Sequence, residues 1–238
     1  MQSPDFSKDI ALVTGATGGI GKSICNALAS LGCSVVVNYF SNDKKAEDLA
    51  EHIKSAYSTK AITVKADMRD YGQSSNAPTK QVRALHAEVL KQLGPPTILV
   101  NNAGSALRKY RLQSIEDVSL EEFETSWRIN CGSQFLLTQL CMPTMREVGY
   151  GRVIFISTLH GLIHWLAANY AKDGITVNGV APALIGNTEI AFPSNMQRRV
   201  PVQRLGKPEE IAETILWMVK TSYVTNKIVG VDGGMYPQ

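Results

Sequence analysis

Glycines at 15, 19 and 21 stand in the run Val13-Thr14-Gly15-Ala16-Thr17-Gly18-Gly19-Ile20-Gly21, between an apolar segment and an amphipathic one. A strand, a tight glycine turn and a helix in that order can hold a dinucleotide pyrophosphate. The glycines let the backbone approach the phosphates, and the helix start presents free N–H groups and a positive dipole end to the anion. The bland alternative is an ordinary strand-to-helix turn built from the same residues. Ile20, Ile24, Ala27, Leu28 and Leu31 recur at helical spacing, as a helix packed on a sheet requires. Cys25, Cys33, Cys131 and Cys141 form no CxxC pair, so they are expected to be reduced, buried thiols, and no metal site is expected.

Elements to position that turn recur along the chain. Strand-like runs occur at Ile10–Thr14, Ser34–Tyr39, Ala61–Ala66, Thr97–Asn101, Arg152–Ser157, Ile175–Val180 and Lys227–Asp232. Helical patterns lie between most of them. Lys44–Ala56 and Gln81–Leu93 each carry one apolar face, Ser119 with Glu122 makes a capping-box signal, and Pro208 opens a further helix. The alternation predicts an α/β fold, a Rossmann-type doubly wound parallel sheet of about seven strands, in one domain spanning residues 1–238. A chain of 238 residues with 44% apolar content suits one such domain. Tyr71–Pro78 reads as a surface loop. The net charge of +3 comes without long basic runs, so no nucleic-acid partner is expected. No apolar run approaches the roughly 18 residues of a membrane span. Met1–Asp9 is too short and polar for a signal peptide, which points to the cytoplasm and leaves the mitochondrial matrix open.

The order of signals is specific. Thr14-Gly15 and Gly19-Ile20-Gly21 are followed by Asp67, Asn101-Asn102-Ala103-Gly104, Asn130, Ser157, Ile175-Thr176-Val177-Asn178 and Val231-Asp232-Gly233-Gly234. From about Lys8 to Met235 this resembles the short-chain dehydrogenase/reductase family, and within it the 3-oxoacyl-acyl-carrier-protein reductases and related carbonyl reductases. The resemblance implies an oxidoreductase that uses a nicotinamide dinucleotide to reduce a carbonyl, with a small-molecule or acyl-thioester substrate and an acyl carrier protein as candidate partner. It further implies that Thr14, Gly15, Thr17, Gly19, Ile20 and Gly21 hold the phosphates, that Asp67 and Met68 meet adenine, and that Asn101, Ala103 and Gly104 line the adenosine side. Pro182, Ile185 and Thr188 would embrace the nicotinamide end. An acidic residue ending the second strand would accept hydrogen bonds from a ribose 2′-OH and repel a 2′-phosphate; Asn38-Tyr39-Phe40-Ser41-Asn42 stands there instead. That favours NADP(H) over NAD(H), with Asn38 and Tyr39 beside the ribose and Lys22 as a cation toward the 2′-phosphate.

Members of the family use a serine to polarise the carbonyl, a tyrosine to protonate it, a lysine to lower the tyrosine pKa and an asparagine to maintain a water relay. A phenol with a pKa of about 10 needs such a cation to work near neutrality. Ser157 and Asn130 fit the serine and asparagine. The tyrosine and lysine, written Y-x-x-x-K on one helix face, are expected to be absent. Tyr170 has Gly174 four residues on, and Lys172 at i+2 points off its face. The first turns of the helix are missing near His160–Leu166, a deficit of roughly 18 residues or about 27 Å of helix. A short helix near Ile163–Lys172 is predicted to close the crossover over residues 158–174, leaving some apolar strand surface wet. His160 and His164 are expected in the shortened loop as ordinary exposed histidines, and Arg108, Lys109 and Arg111 in a solvated loop. Homo-oligomers are the family's habit, and the shortened helix puts assembly in question. The alternative function is a catalytically silent dinucleotide-binding subunit.

Overall fold

Runs rich in valine, isoleucine and leucine form seven strands: β1 (Ile10–Val13), β2 (Ser34–Tyr39), β3 (Ala61–Lys65), β4 (Ile98–Asn101), β5 (Gly151–Ile156), β6 (Ile175–Pro182) and β7 (Ile228–Val231). The structure, a computed structural model, describes residues 5–70, 81–105, 114–156, 159–188 and 196–236. The strands pair in the order β3-β2-β1-β4-β5-β6-β7, and every pair is parallel. Each strand is nearly continuous in apolar residues because both faces of the sheet are covered. Alternate residues serve opposite layers: Val13, Val35, Val37, Val100 and Ile154 pack on one side, and Leu12, Val36, Leu99, Val153 and Phe155 on the other.

Helices α1 (Gly19–Ser30) and α2 (Asp43–Tyr57) cover the first face, together with the last helix, α7 (Pro208–Lys220). The second face carries α3 (Gln81–Gln92), α5 (Ser133–Val148) and α6 (His160–Tyr170). Helix α4 (Leu120–Trp127) buries none of its residues and leads into α5 through a π-turn at Arg128–Gly132. The caps fall where the sequence places them. Ser119 Oγ accepts from Glu122 N at 3.2 Å while Ser119 N donates to the Glu122 carboxylate at 2.9 Å, and Pro208 is the first residue of α7. Cys25, Cys33 and Cys141 are buried and Cys131 is partly so, all free. The loop expected at Tyr71–Pro78 lies outside the described residues, as do Arg108, Lys109 and Arg111.

The crossover between β5 and β6 corrects two expectations. Helix α6 begins at His160, three residues before the predicted start, so His160 and His164 are helical and not in a loop. His164 Nδ1 is hydrogen bonded to Asn226 Oδ1. The strand surface is not left wet: Ile163, Leu166 and Ala167 turn inward at helical spacing, and Val153, Phe155, Ile175 and Val177 are fully buried. The exposed apolar surface appears instead on the helices, where Phe135 and Trp165 stay about half exposed.

Candidate functional site

Strand order reverses between β1 and β4, and in an open parallel sheet the crevice beyond the carboxyl ends of the strands at that point is where ligands bind. A cleft of about 410 Å³ opens there. Its walls include Gly15, Thr17, Gly19, Ile20, Gly21, Asn38, Asp67, Met68, Ala103, Gly104 and Thr188, so eleven of the residues expected to bind cofactor come together.

The turn at the base is fixed from several sides. Gly15 has φ +60°, the left-handed region that favours glycine. At Gly21 a Cβ would stand 2.7 Å from Ala16 Cα and run into the Gly15 carbonyl, so α1 can pass this close to the turn only without a side chain there. No side chain caps α1 at Gly18, and its first turn carries no acid. Its leading N–H groups and positive dipole end therefore face the cleft, an arrangement suited to an anion.

Thr14 and Asn101 lie beneath the cleft. Thr14 Oγ1 accepts from the backbone N–H groups of Asn102 and Ala103, both at 2.9 Å, and so joins the end of β1 to the end of β4. Asn101 is fully buried, and its Nδ2 donates to Thr138 Oγ1 at 3.1 Å. Asn102, to which no role was attached from sequence, clamps the turn: its Nδ2 donates to the carbonyls of Thr14 at 2.8 Å and Gly15 at 3.2 Å. Its neighbour relation to Asn101 was the only signal for it.

Four expected cofactor residues lie away from the cleft. Tyr39 is buried against the core with Lys65 Nζ 6.0 Å from its ring centroid, because the alternation of β2 turns it from the crevice; Phe40 and Ser41 line the wall instead. Lys22 faces a neighbouring hollow with Lys45 and His52, one helical step round α1 from the turn. Pro182 ends β6, and Ile185 is buried in the core, so among the described residues of that loop only Thr188 reaches the cleft. Asn38 reaches the wall, yet both polar atoms of its side chain are occupied: Oδ1 accepts from Gly15 N at 3.2 Å and Nδ2 donates to the Val64 carbonyl at 3.1 Å. It braces the glycine turn and, being buried, offers little side-chain surface to a ribose. Asn42 caps α2, accepting from Lys45 N at 2.9 Å.

Asn130 sits in the π-turn, a distortion often found at functional sites. Its Oδ1 accepts from Ser105 N and its Nδ2 donates to the Ser105 carbonyl, each at 2.9 Å, which ties the segment after β4 to the second layer. Ser157 follows the last residue of β5 and lies outside the described residues. Tyr170 and Lys172 are remote from the cleft. They precede β6, which begins at Ile175, and so stand at the amino edge of the sheet, opposite the crevice. Tyr170 packs edge-on against Trp165 under the Arg146 guanidinium, and Lys172 is exposed. One tyrosine does have a lysine four residues on, Tyr223 with Lys227, against the expectation that no such pair exists. It is no substitute, since both residues precede β7 at that same far edge and Tyr223 is 98% exposed. Among the described residues no cluster of His, Cys, Asp and Glu is able to hold a metal ion, and no helix is long and apolar enough to cross a membrane.

This fold and crevice define a Rossmann-type dinucleotide-binding protein. The family profile described as short chain dehydrogenase matches residues 9–165, and one described as Enoyl-(Acyl carrier protein) reductase matches residues 157–236. The chain belongs to the short-chain dehydrogenase/reductase family of NAD(P)-dependent oxidoreductases. Nodulation protein G of Azospirillum brasilense is 31% identical over 256 aligned positions, covering 97% of this chain and 99% of that one. Acetoacetyl-CoA reductase of Allochromatium vinosum is 30% identical, with 95% and 98% covered. A blue fluorescent protein from a metagenomic library, solved in complex with NADPH, superposes with a TM-score of 0.86 at 26% identity, covering 98% of this chain and all of that one. The alignment with the Azospirillum protein runs to 256 positions against the 238 residues here, so that relative has residues without a counterpart in this chain.

Proposed function

We propose that this chain binds NADP(H) and reduces the 3-oxo group of an acyl thioester, carried on coenzyme A or an acyl carrier protein. The observation that carries the reading is the crevice at the β1/β4 reversal, where an uncapped helix start meets a glycine turn and β2 ends without a carboxylate facing the cleft. Similarity to acetoacetyl-CoA reductase and to 3-oxoacyl-[acyl-carrier-protein] reductase FabG of Staphylococcus aureus, 31% identical, supports the substrate class.

In this reading the backbone N–H groups of α1 bind the pyrophosphate, and Thr14 with Asn102 keeps the turn in register with β4. Asp67 and Met68 form the adenine wall, and Thr188 closes over the turn. When bound, the dinucleotide would supply hydride to the carbonyl carbon, and the resulting alkoxide would take its proton from water. Ser157, at the carboxyl end of β5, donates a hydrogen bond to the carbonyl oxygen and so favours charge as it develops there. Asn130 holds Ser105 and shapes the approach.

One observation favours a second reading, a dinucleotide-binding protein with little or no turnover. The first turn of α6, His160-Gly161-Leu162-Ile163, holds no tyrosine and no lysine, and Tyr170, Lys172, Tyr223 and Lys227 stand at the far edge. A positioned general acid contributes about 10²–10⁴ in rate. Following NADPH absorbance with acetoacetyl-CoA as substrate separates the two: substrate-dependent oxidation by NADPH-saturated protein supports the reductase, and saturable NADPH binding with no oxidation supports the second reading. Absence of NADPH binding overturns both.

A further inference from the structure

The geometry points to Arg69, seated on Phe40 and flanked by Ser41, as the residue that reads the 2′-phosphate of the cofactor, an inference that rests on the NADP(H) reading above. The ribose 2′ position of a dinucleotide in this fold lies beside the residues that follow β2. Here those residues supply little of the usual chemistry. Asn38 is occupied by Gly15 and Val64, Tyr39 is in the core, and Asn42 caps α2. Lys22 opens on another hollow. Phe40 and Ser41, which follow β2, line the cleft wall, and so does Arg69 from the loop after β3.

Arg69 has the properties of an anion reader. Its guanidinium lies 4.8 Å from the centroid of the Phe40 ring, which orients the plane and partly strips it of water. The side chain is 46% exposed, so it can reach a ligand without a buried charge being created. Guanidinium pairs with phosphate in a two-point geometry that a lysine ammonium does not reproduce. Ser41 adds a hydroxyl donor on the same stretch of wall.

At present the Arg69 guanidinium is held by Asp67. Nε lies 2.9 and 2.8 Å from the two carboxylate oxygens and Nη2 lies 2.6 Å from Oδ2, while Arg69 N also donates to Oδ1 at 2.9 Å. This ion pair has a consequence for recognition. Asp67 is the residue assigned to adenine, and while it is paired its acceptors are taken. A 2′-phosphate offers Arg69 a more highly charged partner. As the guanidinium turns to it on the Phe40 platform, the Asp67 carboxylate is released to accept from the adenine amino group. NADH brings no such anion and must compete with Arg69 for Asp67, so a single exchange of partners both attracts NADP(H) and disfavours NAD(H).

Calorimetric titration with 2′,5′-ADP and with 5′-AMP, which differ only in the 2′-phosphate, tests this without relying on turnover. The wild-type chain is expected to bind 2′,5′-ADP about 30-fold more tightly than 5′-AMP, the range of a charged hydrogen-bonded contact. Arg69→Ala is expected to reduce that ratio to within about threefold, chiefly by weakening 2′,5′-ADP binding, and Ser41→Asp to do the same by repulsion with Arg69 intact. Lys22→Ala should leave the ratio unchanged. A wild-type ratio near one overturns the NADP(H) reading and this inference with it. A high wild-type ratio that survives Arg69→Ala and Ser41→Asp, or that Lys22→Ala abolishes, overturns the assignment to Arg69 alone.

Discussion

The carboxyl ends of β1 and β4 and the crossover from β5 to β6 are built to different standards. At the first, Thr14, Asn38 and Asn102 together make contacts that fix the glycine turn to the strands on either side. At the second, a helix of eleven residues closes the sheet with Ile163, Leu166 and Ala167, and its first turn presents neither tyrosine nor lysine at the crevice edge. The crossover therefore satisfies packing, which needs only an apolar face of the right period, while the chemistry needs particular groups at particular positions. A fold can keep the one and lack the other because hydrophobic burial is non-directional and proton transfer is not.

Restoring the missing chemistry is the strongest way to break that comparison. Insertion ahead of Leu159 of helical turns bearing Tyr-x-x-x-Lys, in phase with α6, is expected to raise the rate of NADPH oxidation with acetoacetyl-CoA by about 10²–10⁴. Unchanged turnover in a folded insertion variant would show that another group already serves as acid. Next in size, Gly21→Ala drives a methyl group into Ala16 and the Gly15 carbonyl, so NADPH affinity should fall on the order of 100-fold in a fluorescence titration. A variant that binds as well as the wild type would mean that the turn does not hold the nucleotide.

Ile163→Ala sharpens the contrast from the other side. It removes a buried side chain of α6 and should cost about 3 kcal/mol in denaturant unfolding, while NADPH affinity changes by less than about threefold. Equal loss of binding would tie the crossover to the cradle more closely than the two layers suggest.

The smallest effect concerns pH. His86 in α3 packs on the same face as α6, and burial pushes its imidazole below the ordinary value. Above the unfolded pKa of about 6.5 the residue is neutral in both states and its burial carries no protonation penalty. As pH falls through that value toward the lower folded pKa the unfolded chain takes up the proton more readily, so stability declines. Melting temperature should therefore drop between pH 7.5 and 5.5 by a few degrees more in the wild type than in His86→Leu; parallel curves would remove His86 from the account.

Most of the sheet was legible because strands buried on both faces are written as continuous apolar runs, and all seven fall within two residues of their expected bounds. The glycine turn was legible for a similar reason: close backbone approach leaves only glycine. What the residues did not disclose was the direction of each side chain around the nucleotide. Tyr39 and Asn38 are adjacent to the ribose position in sequence, and strand alternation with one local hydrogen-bond choice sends the first to the core and commits the second to Gly15. Arg69 was invisible because it lies on a different loop, and only the fold lays it over Phe40. The start of α6 was misplaced because Leu159, its N-cap at φ +66°, gives no capping signal in sequence.

The central claim is that the cradle at β1 and β4 works as a nucleotide site whatever the crossover can do. Parallel fluorescence titrations with NADPH and NADH test it most directly. Saturable binding of NADPH, about tenfold or more tighter than NADH, is the predicted result; equal affinities, or no saturable binding by a folded protein, would contradict it.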